Sequence, residues 1–124
     1  MIEKDIIAYL LKECGGLHPF HLSRIIALLD LEYIKERGEK LTTLDYQKNE
    51  YGIYSERLPK IIEELPVEKV KAQPYGYLVL KEDVEINLQE EVIERINSIL
   101  DDVCELSDAE LNMKVLNSPY LDKL

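Results

Sequence analysis

A chain of 124 residues with 46% hydrophobic and 32% charged side chains is long enough to bury a hydrophobic core and too apolar to remain disordered. Its formal net charge of −10 repels a polyanion such as DNA, unless the 15 basic residues gather on one face. The apolar runs fall far short of the roughly 18 residues that a membrane helix needs, and the first residues show no signal-peptide pattern, so we expect a single cytoplasmic domain over residues 1–124 with no membrane partner.

Two helices are predicted at the start of the chain. Apolar residues at helical spacing indicate a first helix over Ile2–Cys14, which a pair of glycines ends. A second helix over His18–Arg37 is apolar around most of its circumference, with Pro19 suited to its first turn and Gly38 to its end. Because such a helix must be covered on more than one side, we expect it to be the centre of the core.

The middle of the chain predicts a short third helix, a loop and a fourth helix. Thr42-x-x-Asp45 has the spacing of a helix-capping pattern, so we expect a helix over about Thr43–Glu50. The tyrosine-rich stretch from Tyr51 to Ser55 is then a glycine-punctuated loop. A helix of about two turns follows and ends at Leu65, since proline at position 59 favours a start near that residue.

Strand-like residues follow over Val67–Ile86 and predict a β-hairpin with its turn at Gln73–Gly76, with a third short strand left open. A long helix is expected from Asn87 to Cys104, and the Ser107-x-x-Glu110 pattern starts a final short helix. The sequence therefore predicts a mostly helical α+β domain with one β-hairpin, in a winged-helix-like order of elements.

The residue types that could support catalysis or metal binding are sparse. Cys14, His18 and His21 form the only cluster of soft ligand types, whereas a closed structural zinc site needs four. We expect both histidines to be polar or capping groups at the start of the second helix, and Cys14 and Cys104 to be buried free thiols. The paired carboxylates fall on polar helix faces, and no nucleophile, phosphate-loop or dinucleotide motif is present. The sequence thus indicates no enzyme, no metal and no cofactor.

Tyrosine is the unusual residue, with eight copies against one phenylalanine and no tryptophan. Tyr46, Tyr51 and Tyr54 crowd one short segment. Tyrosine combines apolar area with a polar hydroxyl, which is favoured in interfaces and is equally useful at the edge of a core. We expect these three residues and Arg57 to contact a protein partner, with a position at the core edge as the alternative.

The order of elements also fits a winged helix-turn-helix transcription regulator. In that interpretation Ser55–Leu65 would be the helix that reads DNA and Val67–Ile86 the wing. The cations of both segments are offset by carboxylates, so nucleic acid is the less favoured partner. A homodimer through the C-terminal helices stays open.

A set of short motifs extends along most of the chain. They are Leu28-Leu29-Asp30, Gly38, Thr43 with Tyr46, Tyr51-Gly52, and later Leu106-Ser107 with Glu110-Leu111 and Ser118-Pro119. In these positions the chain resembles the Panacea (SocA-like antitoxin) domain family, although Ile53 stands where that family usually has a proline. The resemblance implies a non-enzymatic helical domain that binds protein, either as an antitoxin that neutralises a toxin or as an adaptor that presents a partner to a protease.

Overall fold

The computed structural model describes residues 2–49, 52–72 and 76–124. Its fold is a mostly helical α+β domain, as the sequence predicts. Within these ranges no helix combines the length and the apolar character needed to cross a membrane. The elements in chain order are α1 (Ile2–Cys14), α2 (Pro19–Arg37), β1 (Gln47–Asn49), β2 (Gly52–Tyr54), α3 (Leu58–Ile62), β3 (Val67–Val70), β4 (Tyr77–Leu80), α4 (Glu90–Val103), α5 (Asp108–Leu116) and a 3-10 turn (Leu121–Lys123).

Helix α2 is the centre of the core, which confirms the prediction. Every residue from Leu22 to Leu31 is buried, and α1, α3, α4, α5 and β2 all pack against the helix. Its N-terminus is capped by His18, whose Nδ1 accepts a hydrogen bond from the backbone N–H of Phe20 at 3.1 Å. Its C-terminus ends at Gly38, which adopts the left-handed conformation with φ 81°.

The other helices also follow from local sequence features, namely apolar residues at helical spacing and capping residues. Helix α1 buries one apolar face, and α4 buries a stripe at helical spacing from Val92 to Val103. Helix α5 starts with the predicted capping box, because the Ser107 hydroxyl accepts from the Glu110 N–H and the Glu110 carboxylate accepts from the Ser107 N–H, both at 3.1 Å. The bond from the Ser107 N–H, and then the Ser107 side chain, stabilise the charged carboxylate and lower the pKa of Glu110.

The first of two hairpins stands where the sequence predicted a helix and a loop. Strands β1 and β2 pair antiparallel, with Gln47 opposite Tyr54. The predicted helix over about Thr43–Glu50 is therefore wrong, although Glu50 itself lies outside the described residues. The reason is that Thr42, which was expected to cap that helix, instead uses its hydroxyl and its N–H to bond a buried aspartate of α2.

The second hairpin matches the predicted one. Strands β3 and β4 pair antiparallel from Val67 opposite Leu80 to Val70 opposite Tyr77, and part of the predicted turn, residues 73–75, lies outside the described residues. The third short strand that the sequence left open does not form, since residues 83–89 belong to no strand. Helix α3 is also shorter than the predicted two turns, with five residues.

Candidate partner-binding surface

Asp30 of α2 organises the chain that leads into the first hairpin. Its carboxylate is fully buried and accepts two backbone hydrogen bonds, from Leu41 at 3.0 Å and from Thr42 at 2.9 Å. It also accepts from the Thr42 hydroxyl at 2.6 Å and the Tyr46 hydroxyl at 2.7 Å. Four donors therefore satisfy a charge that would otherwise be costly to bury. We call this set the Asp30 network.

The Asp30 network turns Tyr46 inward. Burial first, and then the negative charge of Asp30, raise the pKa of Tyr46 well above its usual value of 10, because both disfavour the phenolate. The hydroxyl thus donates to Asp30 as a neutral group. This places Tyr46 at the core edge, the alternative position that the sequence left open.

Thr43, which follows Thr42 in the same segment, is held by two charged side chains. Thr43 donates its hydroxyl to Glu3 of α1, and Arg57 donates to the Thr43 carbonyl oxygen at 2.7 Å and to its hydroxyl at 3.1 Å. Arg57 remains exposed. A guanidinium carries five N–H donors, and these contacts use only Nη1, so Arg57 can still bind a carbonyl or carboxylate from outside.

An ion pair between a buried arginine and a partly exposed aspartate joins α2 to α5. Arg24 is 1% exposed and donates to Asp108 at the start of α5, and the other oxygen of that carboxylate lies 3.2 Å from Nδ1 of His21. One turn further along α5, the Asn112 side chain accepts a hydrogen bond from the backbone N–H of Ile53 at 3.1 Å. Helix α5 thereby fixes both α2 and β2.

Gly52 lets β2 approach these side chains. Its φ of 107° is a conformation that other L-residues rarely adopt. A Cβ at this position would also overlap the Asn112 side chain and lie 2.7 Å from Nη2 of Arg24. The glycine is therefore required by both backbone conformation and space.

Aromatic rings gather beside this anchor, at the first turn of α2. Phe20 and Tyr54 meet edge to face with ring centroids 5.3 Å apart, and His18 lies 4.9 Å from Phe20. All three side chains are half-buried. Burial is the main cause that raises the pKa of Tyr54 and lowers the pKa of His18, so both groups favour their neutral forms. We call His18, Phe20 and Tyr54 the aromatic patch.

The structure divides the predicted group of partner-binding residues. Tyr46 and Tyr54 flank the same hairpin, but their side chains reach α2 at Asp30 and at Phe20, ten residues or about 15 Å apart along the helix. Tyr51 lies outside the described residues. Tyr54 and Arg57 therefore remain the candidates on the described surface.

Sequence reasoning missed Phe20, Arg24 and Asp108. Phe20 lies in the first turn of α2 next to the N-cap, and this place could have marked it as peripheral. Arg24 lies within an apolar run, and an arginine there signals a buried partner. No sequence signal named that partner, because Asp108 is 84 residues away.

The segment that was expected to read DNA offers little surface for it. Helix α3 has five residues, of which Leu58, Ile61 and Ile62 are buried. Its exposed cation Lys60 is followed by two exposed glutamates over 63–64. A recognition helix must reach base edges in the major groove with several side chains, and α3 has few to offer.

The two cysteines differ from the prediction. Both are free thiols, but Cys14 and Cys104 are exposed rather than buried, because each ends a helix at the mouth of the same groove. Desolvation by neighbouring atoms, and then the charge of Glu13, raise the pKa of the Cys14 thiol above 9.0. Among the described residues, no three histidine, cysteine or carboxylate side chains stand close enough together to hold a metal ion.

The motifs that carry the Panacea resemblance have structural roles here. Asp30 and Tyr46 belong to the Asp30 network, Gly38 ends α2, and Ser107 with Glu110 forms the capping box of α5. No protein-family model, curated protein or solved structure matches the chain.

Proposed function

We propose that this chain is a non-enzymatic protein-interaction or regulatory module, of the antitoxin or proteolytic-adaptor type, that acts in the cytoplasm. The observation that carries the proposal is the aromatic patch, where half-buried Phe20 and Tyr54 pack edge to face at 5.3 Å. Aromatic rings with one side packed and one side open are typical anchors of protein interfaces.

The patch is held in place before any partner arrives. Tyr54 belongs to a hairpin that the Asp30 network fixes at one side and Asn112 fixes at the other. The rings therefore lose little conformational entropy on binding, which favours affinity. Arg57, three residues after Tyr54, adds an exposed hydrogen-bond donor near the same hairpin.

The charge distribution favours a protein partner over nucleic acid. Arg24, Arg37 and Arg95 each form an ion pair with a carboxylate of the chain itself, so these cations are already neutralised. With a net charge of −10, Arg57 and the lysines would have to outweigh a repulsive field to hold a phosphate backbone. The Panacea resemblance supports the antitoxin or adaptor type, and two exposed free thiols suit a reducing compartment such as the cytoplasm.

The test compares two tyrosines that are both half-buried. The immobilised protein first captures partners from the source cells. The affinity of the recovered partner is then measured for the variants Tyr54→Ala and Arg57→Ala. The control variant is Tyr120→Ala, because Tyr120 lies outside the aromatic patch. We expect Tyr54→Ala to cost about 1–3 kcal/mol of binding free energy and Tyr120→Ala less than about 0.5 kcal/mol. Circular dichroism checks that each variant is folded.

The same preparations are titrated with a random-sequence DNA duplex at low salt, followed by fluorescence anisotropy. We expect no binding in the micromolar range. Micromolar binding that added salt abolishes, together with no recovered protein partner, would reject the proposal and favour a DNA-binding regulator.

A further inference from the structure

A groove with a volume of about 660 Å³ opens where the C-terminal ends of α1 and α4 meet the start of α2. His21 lines it and follows Phe20 in the chain, so the groove and the aromatic patch both lie at the first turns of α2. Five of its eleven lining residues are apolar, namely Leu17, Ile25, Leu100, Val103 and Leu106.

One wall of the groove is a face of α4. Asn97, Leu100, Asp101 and Cys104 line it at helical spacing, which spans two turns or about 10.5 Å along the helix axis. The Tyr9 hydroxyl donates to Asn97 at 2.7 Å and ties α1 to α4 at this wall. The wall is thus a fixed element rather than a loop.

The groove is also negatively charged. Glu13 and Asp101 line it, and among the described lining residues there is no lysine or arginine. Two further exposed acids, Asp102 and Glu105, follow in the same part of the chain. A bound segment would therefore meet apolar side chains and carboxylates together.

We propose that this groove binds one short amphipathic helix of the protein partner, in which lysines or arginines flank an apolar stripe. The inference rests on the proposed function, since it names the chemistry of that partner. The apolar stripe would supply anchors at i, i+3 or i+4, and i+7, which match the two-turn length of the α4 wall. The cations of the helix would lie near Glu13 and Asp101. The opposite charges would speed association of the helix with the groove and fix its orientation there.

The probe is a synthetic, end-capped helix of about 14 residues with leucines at i, i+3, i+4 and i+7 and lysines elsewhere. Two control peptides are used. The first has the same composition in scrambled order, and the second has glutamate in place of lysine. Binding to the full chain is measured by fluorescence anisotropy. Two protein variants with equal net charge are compared: Asp101→Lys lines the groove, and Asp102→Lys is exposed on the same helix outside it.

We expect the amphipathic lysine peptide to bind and both control peptides to bind more weakly. Asp101→Lys should weaken binding about fivefold and Asp102→Lys less than twofold, because only the first charge faces the peptide. Bound peptide should also slow the reaction of Cys14 and Cys104 with a thiol reagent, since both thiols line the groove.

Equal losses in the two lysine variants would show that only the net charge attracts the peptide, and would overturn the groove proposal. Equal affinity of the scrambled peptide, or unchanged thiol rates at saturation, would overturn it as well. None of these measurements needs the natural partner. The groove proposal can therefore fail while Tyr54-dependent partner binding is still observed. If instead the peptide binds in the groove and partner binding does not depend on Tyr54, only the proposed function is rejected.

Discussion

The two hairpins of this protein have similar secondary structure but are held in the fold by different contacts. In the first, β1 and β2 are held by side chains from other elements, since Asp30 fixes the chain before β1 and Asn112 bonds Ile53 within β2. In the second, β3 has two exposed charged residues at its centre, and β4 joins the rest of the fold through the buried side chain of Leu78 and through two backbone hydrogen bonds between Leu17 and Leu78, at 3.0 and 2.8 Å.

This difference separates two ways of forming a hairpin. The second hairpin follows from residues within it, because strand-favouring residues and a Pro-Tyr-Gly turn sequence are present locally. The first hairpin depends on partners that lie 11–16 residues away at Asp30 and 59 residues away at Asn112. Substitutions at those partners should therefore damage the fold far more than substitutions at exposed positions of the second hairpin.

The largest effect is expected from Asp30→Ala. It would leave the Tyr46 and Thr42 hydroxyls and two backbone N–H groups without their acceptor in the core, so the free energy of unfolding should fall by about 3–5 kcal/mol. Urea denaturation measures this loss. The control is Asp45→Ala, an exposed carboxylate in the same segment, with an expected change below about 0.5 kcal/mol. Equal midpoints for the two variants would show that the Asp30 network does not hold the first hairpin.

A smaller loss is expected from Gly52→Ala. The substitution combines an unfavourable φ of 107° with overlap at Asn112 and Arg24, and should cost about 2–4 kcal/mol. Gly15→Ala is the matched control, since Gly15 also has positive φ, 69°, and has no atom within 4 Å of the added Cβ. Its cost should be about 1–2 kcal/mol.

A double variant separates the two causes at Gly52. In an Asn112→Ala background one of the two overlapping side chains is gone, so Gly52→Ala should cost less than it does in the wild-type chain. The comparison uses urea midpoints of all four chains. An unchanged cost would mean that the overlap with Asn112 contributes nothing, and that the backbone conformation and Arg24 account for the loss.

The pH dependence of stability gives the next test. Folding raises the pKa of Tyr46 above 10, so at high pH the folded chain retains a proton that the unfolded chain loses. The resulting stabilisation is fully present below about pH 10 and is lost as pH rises further, with a slope of up to about 1.4 kcal/mol per pH unit.

Tyr46→Phe removes this titration and keeps the ring. Thermal unfolding between pH 8 and pH 12 should therefore show a smaller loss of stability above pH 10 in Tyr46→Phe than in the wild-type chain. Tyr33 and Tyr54, whose pKa values are also raised, are present in both proteins and cancel in the difference. Parallel pH profiles for the two proteins would contradict the inward position of the Tyr46 hydroxyl.

The sequence predicted the parts of the fold that depend on local signals. Apolar periodicity located α1, α2 and α4, the N-cap at His18 and the capping box at Ser107 marked helix starts, and the second hairpin followed from its own residues. The segment 43–50 was predicted wrongly for a physical reason. Thr42 and Asp45 have the spacing of a cap, but the Thr42 hydroxyl bonds Asp30, a partner that local spacing does not reveal.

The candidate surface was predictable to a similar extent. The excess of tyrosine pointed to the first hairpin, and Tyr54 does lie in the aromatic patch. Spacing could not separate Tyr54 from Tyr46, because the direction of each ring is decided by α2, where Phe20 meets one and Asp30 the other. The groove was invisible in the sequence, since it forms only where the ends of three helices meet.

The smallest effect is expected in the second hairpin, from Lys69→Thr. Lys69 is exposed and pairs with Leu78 across the strands. A β-branched residue suits a strand slightly better than lysine, so the free energy of unfolding should rise by about 0.2–0.5 kcal/mol. Urea denaturation with replicate curves resolves such a change, with Lys48→Thr at the exposed centre of β1 as the counterpart in the first hairpin. A loss above about 1 kcal/mol for Lys69→Thr would mean that the second hairpin also depends on side-chain partners, and the contrast between the two hairpins would fail.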